Sequence, residues 1–144
     1  LSLVWLDTKS RNIMDLLIPI QKEYMQKAKD AGRTLEIMIG LPDADILNDF
    51  LNHPDHANAL ALIELGTDDV RKANAKIWAP RWTLGTLNSD VEEMHRENVR
   101  VFVWTLDNPD FIHVFITEGK FDGILTNYPS KVAWEYYMKR NFHE

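Results

Sequence analysis

The sequence predicts an α/β domain built on a parallel sheet. Six short runs rich in Val, Ile, Leu, Phe and Trp recur along its 144 residues, each followed by a turn signal and a segment of helical period. Parallel neighbours need a crossover of roughly a dozen residues, and the strict alternation of strand and helix supplies one each time. A continuous apolar run such as VRVFVW, from Val99 to Trp104, suits a strand covered on both faces.

The candidate strands are Leu3 to Asp7, Leu35 to Ile39, Leu60 to Ile63, Ile77 to Ala79, Val101 to Thr105 and Gly123 to Thr126. The first leads into NIMDLLIPIQKEYMQKAKDAG, a helix closed by Gly32 as C-cap, in which Pro19 either kinks the helix or marks its true first turn. DADILNDFLN follows the second strand, with Asp43 or Asp45 as N-cap and Ile46, Leu47, Phe50 and Leu51 on one face. TDDVRKANA is a short third helix capped by Thr67. TLNSDVEEMHRENV carries a fourth, with Ser89 as N-cap and Glu92 at the capping-box spacing. Pro109 opens a fifth helix that Gly119 closes, and Pro129 or Ser130 starts the sixth. On that last helix Trp134, Tyr136 and Tyr137 are expected to pack on the sheet.

Length and composition narrow the rest. One domain spanning residues 1–144 is expected, because no linker or low-complexity segment interrupts the chain. With 16 Lys and Arg against 22 Asp and Glu, the formal charge is −6 and the basic residues are scattered, which argues against a nucleic-acid partner. The absence of cysteine removes a disulfide framework, a thiolate metal site and a Cys nucleophile. No apolar run approaches the ~20 residues of a membrane helix. The chain opens at Leu1 directly inside an apolar β-type run, so it reads as a fragment or a processed chain.

Two architectures compete, an open doubly wound sheet and a (β/α)8 barrel. The six glycines form neither GxGxxG nor GxxxxGK[ST], the usual first turn of a doubly wound nucleotide site. That favours a (β/α)8 TIM barrel, of which six of eight βα units are present; a full barrel typically takes ~250 residues.

Along the first strand Trp5, Asp7 and Lys9 project to one side, and Val4 and Leu6 to the other, against a helix. Asp7 and Lys9 then stand at the carboxyl end of the strand, where barrel enzymes place their sites. There a carboxylate can bind a hard cation and an ammonium can hold a phosphate oxygen; alternatively the two form an inward ion pair that serves the structure alone. Arg81, just past a strand in WAPRW, could meet a phosphate or be held in a salt bridge. His53 and His56 in NHPDHAN are expected in a solvated loop, His95 and His113 on outer helices, and His143 in a frayed tail.

The carboxyl-terminal stretches VRVFVWTLDN and FDGILTNYPSKV, with a helix ending in Gly between them, resemble the glycerophosphodiester phosphodiesterase family, whose last two units read V-x-V-W-T-V-N and V-D-G-I-I-T-D-x-P. In the same register VWLDTK is similar to the family's I-E-I-K, MHRENVRVFVW to its A-H-x-x-G-x-x-V-x-V-W, and LEIMIGLPDADIL to its V-x-x-S-F segment. The resemblance implies a metal-dependent barrel, strands three to eight of it present here, that cleaves glycerophosphodiesters to glycerol 3-phosphate and an alcohol within glycerol and lipid metabolism. It implies Asp7 as a ligand of Mg2+ or Ca2+, Lys9 as the catalytic group facing the phosphate, and Trp104 as an apolar wall for the glycerol. Three departures stand out: Asp7 is shorter than the family's Glu, Asn127 replaces the Asp of T-D-x-P, and Leu41 and Pro42 stand near its Ser-Phe. The family's H-R-G, E-N-T, E-x-D and H-D motifs do not occur in these residues. The competing expectation is an inactive barrel remnant that binds or assembles, including as a homo-oligomer through exposed sheet edges.

Overall fold

The computed structural model of the chain describes residues 2–141, with 139–141 described by backbone alone; the expectation for His143 lies outside the described residues. Strands and helices alternate as β1 (Ser2–Leu6), α1 (Met14–Asp30), β2 (Leu35–Leu41), α2 (Ala44–Asn52), β3 (Ala61–Ile63), α3 (Thr67–Ala73), β4 (Ile77–Trp78), α4 (Asn88–Arg96), β5 (Arg100–Val103), α5 (Pro109–Thr117), β6 (Gly123–Ile124) and α6 (Pro129–Asn141). Their hydrogen-bonded order is β1-β2-β3-β4-β5-β6. The ladders β1–β2, β2–β3 and β5–β6 are all parallel, the α/β arrangement expected. The chain divides into two compact units, Leu1–Ile77 and Trp78–Glu144.

In the first unit β2 is the buried centre, with Met38, Ile39 and Leu41 fully covered. Phe50, Ile46 and Leu47 of α2 and Leu62 and Ile63 of β3 supply the rest of the core. Gly40 is required by the pairing of β1 with β2: a Cβ there would stand 2.5 Å from Trp5 Nε1 and 2.7 Å from the Leu6 carbonyl. Val4 does not lie under a helix as expected. It is 40% exposed, because β1 pairs with β2 alone among the described residues and its outer face is left uncovered.

Helix termini follow local chemistry in most places. Asp43, not Asp45, caps α2, its Oδ1 accepting from the Ile46 N–H at 2.8 Å. Helix α1 ends in a Schellman motif, with Gly32 at φ +70° and the Arg33 N–H bonded to the Ala28 carbonyl. Pro19 lies inside α1, beyond its first turn. Helix α3 is capped by Gly66, whose N–H meets Asp69 Oδ2, so Thr67 is its first residue rather than its cap. Helix α4 starts one residue before Ser89 and no side chain caps it; its N-cap is Leu87, held at φ +45°. That start sets Val91 and Met94 on the buried face.

In the second unit Val103, Leu106, Ile112 and Phe115 form the core, with Trp82, Phe121 and Val132 packed against it. Trp134, Tyr136 and Tyr137 do not pack on the sheet; they are 65%, 49% and 61% exposed. Helix α6 carries apolar residues around its whole circumference, and only the Val132 side meets the core cluster.

The polar residue that ties the first unit together is Gln21, buried on the Met14 and Ile18 face of α1. Its Nε2 donates to the Ile37 carbonyl at 2.6 Å and the Leu60 carbonyl at 2.7 Å, and its Oε1 accepts from the Leu60 N–H. Replacing it by Ala strands the Leu60 N–H in an apolar setting. The Gln21→Ala variant is expected to lose about 1–3 kcal/mol of stability in urea unfolding; an unchanged midpoint would show the amide to be dispensable.

Candidate active site

In the first unit, β1 ends at Leu6, so Asp7 and Lys9 lie just past its carboxyl end, in the connection to α1 rather than on the strand itself. They are brought together: Lys9 Nζ is 2.9 Å from Asp7 Oδ1. Both side chains are exposed, 73% for Lys9 and 60% for Asp7. The hydrogen bond to Asp7, then the charge of Asp7 and that of Glu64, raise the Lys9 pKa above its ordinary 10.5 and hold it as an ammonium.

The connection that carries these two residues is pinned to α2. Asp49 Oδ2 accepts from the Asn12 N–H at 2.9 Å, and Arg11 lies 3.6 Å from both Asp45 and Asp49. The Asn12 N–H, followed by Arg11, holds the Asp49 carboxyl below its ordinary range. Asn12 sits at φ +59°, a left-handed conformation that Asn tolerates better than most residues. Trp5, half-buried near the end of β1, has a buried Nε1 with no hydrogen-bond acceptor among the described residues.

A divalent cation of the Mg2+ or Ca2+ type takes several oxygen ligands. Asp7 supplies one carboxylate, already engaged by Lys9, and no group of three His, Cys, Asp or Glu side chains that could hold an ion is gathered among the described residues. These residues do not make a metal centre by themselves. The family's Ser-Phe position adds no polar group, since Leu41 is fully buried at the end of β2.

NHPDHAN is a largely exposed connection, as expected, but its two histidines are partly covered. The His53 side chain is only 9% exposed, its Nε2 3.0 Å from Asp15 and its Nδ1 accepting the Asp55 N–H. His56 is half-buried and packs edge-on against the Phe50 ring at 5.9 Å. His95 on α4 meets Asp122 at 2.8 Å and His113 on α5 meets Glu135 at 3.0 Å.

In the second unit, Arg81 and Trp104 come together past the carboxyl ends of β4 and β5, joined by an isolated parallel bridge. The indole Nε1 of Trp104 donates to the Ala79 carbonyl at 2.7 Å, and the Trp82 N–H donates to the Trp104 carbonyl. The Arg81 guanidinium lies 5.0 Å above the Trp104 ring. Among the described residues it has no carboxylate partner, so the aromatic face takes the place of a salt bridge.

Sequence reasoning missed Asp107. Its carboxylate accepts from Thr126 Oγ1, the Asn127 N–H and Asn127 Nδ2 at 2.8–2.9 Å. Asp107 stands where the family motif has the Asn of V-W-T-V-N, and Asn127 where it has the Asp of T-D-x-P. The Asp107 carboxylate and the Asn127 amide tie the loops after β5 and β6 to one another. The signal was available, but only by reading two departures twenty residues apart as one.

Hydrogen bonds from the Asn127 side chain, the Asn127 backbone and Thr126 hold the Asp107 carboxyl below its ordinary 3.8. A depressed folded-state pKa contributes stability that is present above 3.8 and is lost as pH falls through the folded value. The urea midpoint of wild type should therefore exceed that of Asp107→Asn above pH 3.8, and the gap should close under more acidic conditions. A gap that stays constant with pH would contradict the assignment.

No protein-family model matches the sequence, and no curated protein matches it. Solved structures do match its fold. One is a glycerophosphodiester phosphodiesterase from Parabacteroides distasonis ATCC 8503, with TM-score 0.68 and 15% identity over 96% of this chain and 58% of that one. Another, assigned as a glycerophosphoryl diester phosphodiesterase, is from Silicibacter pomeroyi DSS-3, with TM-score 0.66 and 16% identity over 95% of this chain and 50% of that one. The chain thus spans between half and three fifths of the length of these structures. At this identity the likeness is one of fold: the chain is built like glycerophosphodiester phosphodiesterases over nearly all of its residues.

Proposed function

We propose that this chain is part of a phosphodiester hydrolase acting on glycerophosphodiesters, releasing glycerol 3-phosphate and an alcohol. The observation that carries this reading is the correspondence of fold with phosphodiesterases over 96% of the chain. Fold alone does not assign chemistry; the residues at the carboxyl ends of the strands support the same direction.

In this reading the six units correspond to strands three to eight of a (β/α)8 barrel. In the first unit Lys9 is the group that meets the phosphate. Its ammonium offers positive charge to a non-bridging oxygen, and that charge matters most as negative charge builds up in the transition state. Asp7 would be one ligand among several for Mg2+ or Ca2+. In the second unit Trp104 is assigned the apolar side of the glycerol and Arg81 a phosphate oxygen.

The alternative is a catalytically inactive module that binds or assembles through its sheet edges. It is favoured by the groove of about 860 Å3 beside β6, where Leu125 and Tyr137 are exposed. Sedimentation distinguishes the two: self-association that rises with concentration supports the module, and a monomer at every concentration rejects it.

The hydrolase reading is tested by release of glycerol 3-phosphate from glycerophosphocholine with Mg2+ or Ca2+ present. Lys9→Ala is expected to lower kcat/KM about tenfold to hundredfold, with partial rescue by Lys9→Arg. Equal rates for wild type and Lys9→Ala would reject the role given to Lys9.

A further inference from the structure

The lysines of α1 fall into two sets. Lys27 is paired with Glu23 and stands 4.9 Å from the centre of the Tyr24 ring. Lys22 and Lys29 are exposed, and among the described residues no carboxylate reaches either of them. Seven positions apart, they are two helical turns from one another and share a face of the helix. Ile18 and Gln21 are buried along that face, and Met25 is half-buried between the two lysines.

Between this face and the segment before β3 lies a cleft of about 490 Å3, within the size range of small-molecule sites. Ile18, Met25 and Leu60 give it apolar surface, and Gln21 is fixed there by its bonds to the Ile37 and Leu60 carbonyls. Lys22 and Lys29 line the α1 side, while Asp55 and Asn58, both exposed, line the other. No ion pair joins the two sides among the described residues; the bonds of Asp55 are made by its backbone N–H and carbonyl. The cleft belongs to the amino ends of the strands, since α1 leads into β2 and Leu60 immediately precedes β3. Asp7 and Lys9 lie past the carboxyl end of β1, away from it.

Opposite charges on facing sides of an apolar cleft narrow the ligand. A dianion would meet the Asp55 carboxylate, and a wholly apolar molecule would make no use of two ammonium groups. An anionic bilayer is recognised by clusters of about four to eight basic residues, and this cleft carries two. We infer that the cleft binds a free α-amino acid with an apolar side chain. Its carboxylate lies toward Lys22 and Lys29, its ammonium toward Asp55, and its side chain on Met25 and Leu60. This site uses none of the residues assigned to hydrolysis and stands independently of that reading.

The test titrates the chain with L-leucine and follows backbone amide shifts by NMR. For so small a ligand a Kd of about 1 mM is expected. N-acetylleucine, which lacks the ammonium, and leucinamide, which lacks the carboxylate, should each bind about threefold more weakly. Glycine, without the apolar body, should bind about tenfold more weakly. Asp55→Asn should erase the advantage of leucine over N-acetylleucine and keep its advantage over leucinamide. The double variant Lys22→Gln, Lys29→Gln should do the reverse. All three side chains are exposed, so both variants should keep the wild-type urea midpoint. Leucine binding no more tightly than either derivative overturns the inference. So does an advantage that survives the matching variant, or an absence of amide shifts at concentrations far above 1 mM. Lys9→Ala should bind leucine as wild type does, which separates this site from the one proposed for hydrolysis.

Discussion

The parallel direction of the strands is the constraint on which the chemistry of this chain depends. A parallel neighbour cannot be reached by a tight turn, so each strand leaves the sheet at its carboxyl end, enters a connection and returns through a helix. Every strand therefore delivers a loop at the same end of its ladder. Within the first unit that end carries Asp7 and Lys9, and within the second it carries Arg81, Trp104 and the Asp107 carboxylate. Asp7, Lys9 and Arg81 are exposed, whereas Trp104 is half-buried, its indole bonded to the carbonyl of the fully buried Ala79. Their placement is inherited from strands whose own side chains are apolar, which lets the connections vary while the ladders remain.

The alternation of strand and helix was legible because it rests on hydrophobic period, which each short stretch of chain carries in full. Caps were legible where one side chain suffices, as at Asp43 and Gly32, and not where two candidates stand close together or the cap is backbone alone, as at Gly66 and Leu87. Burial was the least readable property. A strand pattern says which residues share a face, but not whether anything covers that face. Val4 on β1 and the aromatic residues of α6 are apolar and exposed for that reason. His53 departs in the opposite direction: within a largely exposed, Pro-broken segment its side chain is only 9% exposed, although its partner Asp15 is in water.

The candidate site divides along the same line. Asp7 and Lys9 were readable because they are two positions apart. Asp49, which pins their loop, and Asp107, which ties the loops after β5 and β6, act across 37 and 20 positions and leave no local trace. Asn127 alone reads as a lost carboxylate. In the structure it is the partner of Asp107, whose carboxylate accepts from the Asn127 side chain and backbone and from Thr126, and these three donors lower the Asp107 pKa.

The energetics of Asp7 and Lys9 argue that stability is not what keeps them side by side. An ion pair with both partners mostly in water is screened and contributes little, and holding a long lysine chain in one geometry offsets part of that. Substituting both with uncharged residues would cost the fold little. Arg81 is held differently: among the described residues its guanidinium has no carboxylate and lies over the Trp104 ring. Lys9 and Arg81, each within its own unit, thus stand at strand ends in different settings, one beside a carboxylate and one on an indole.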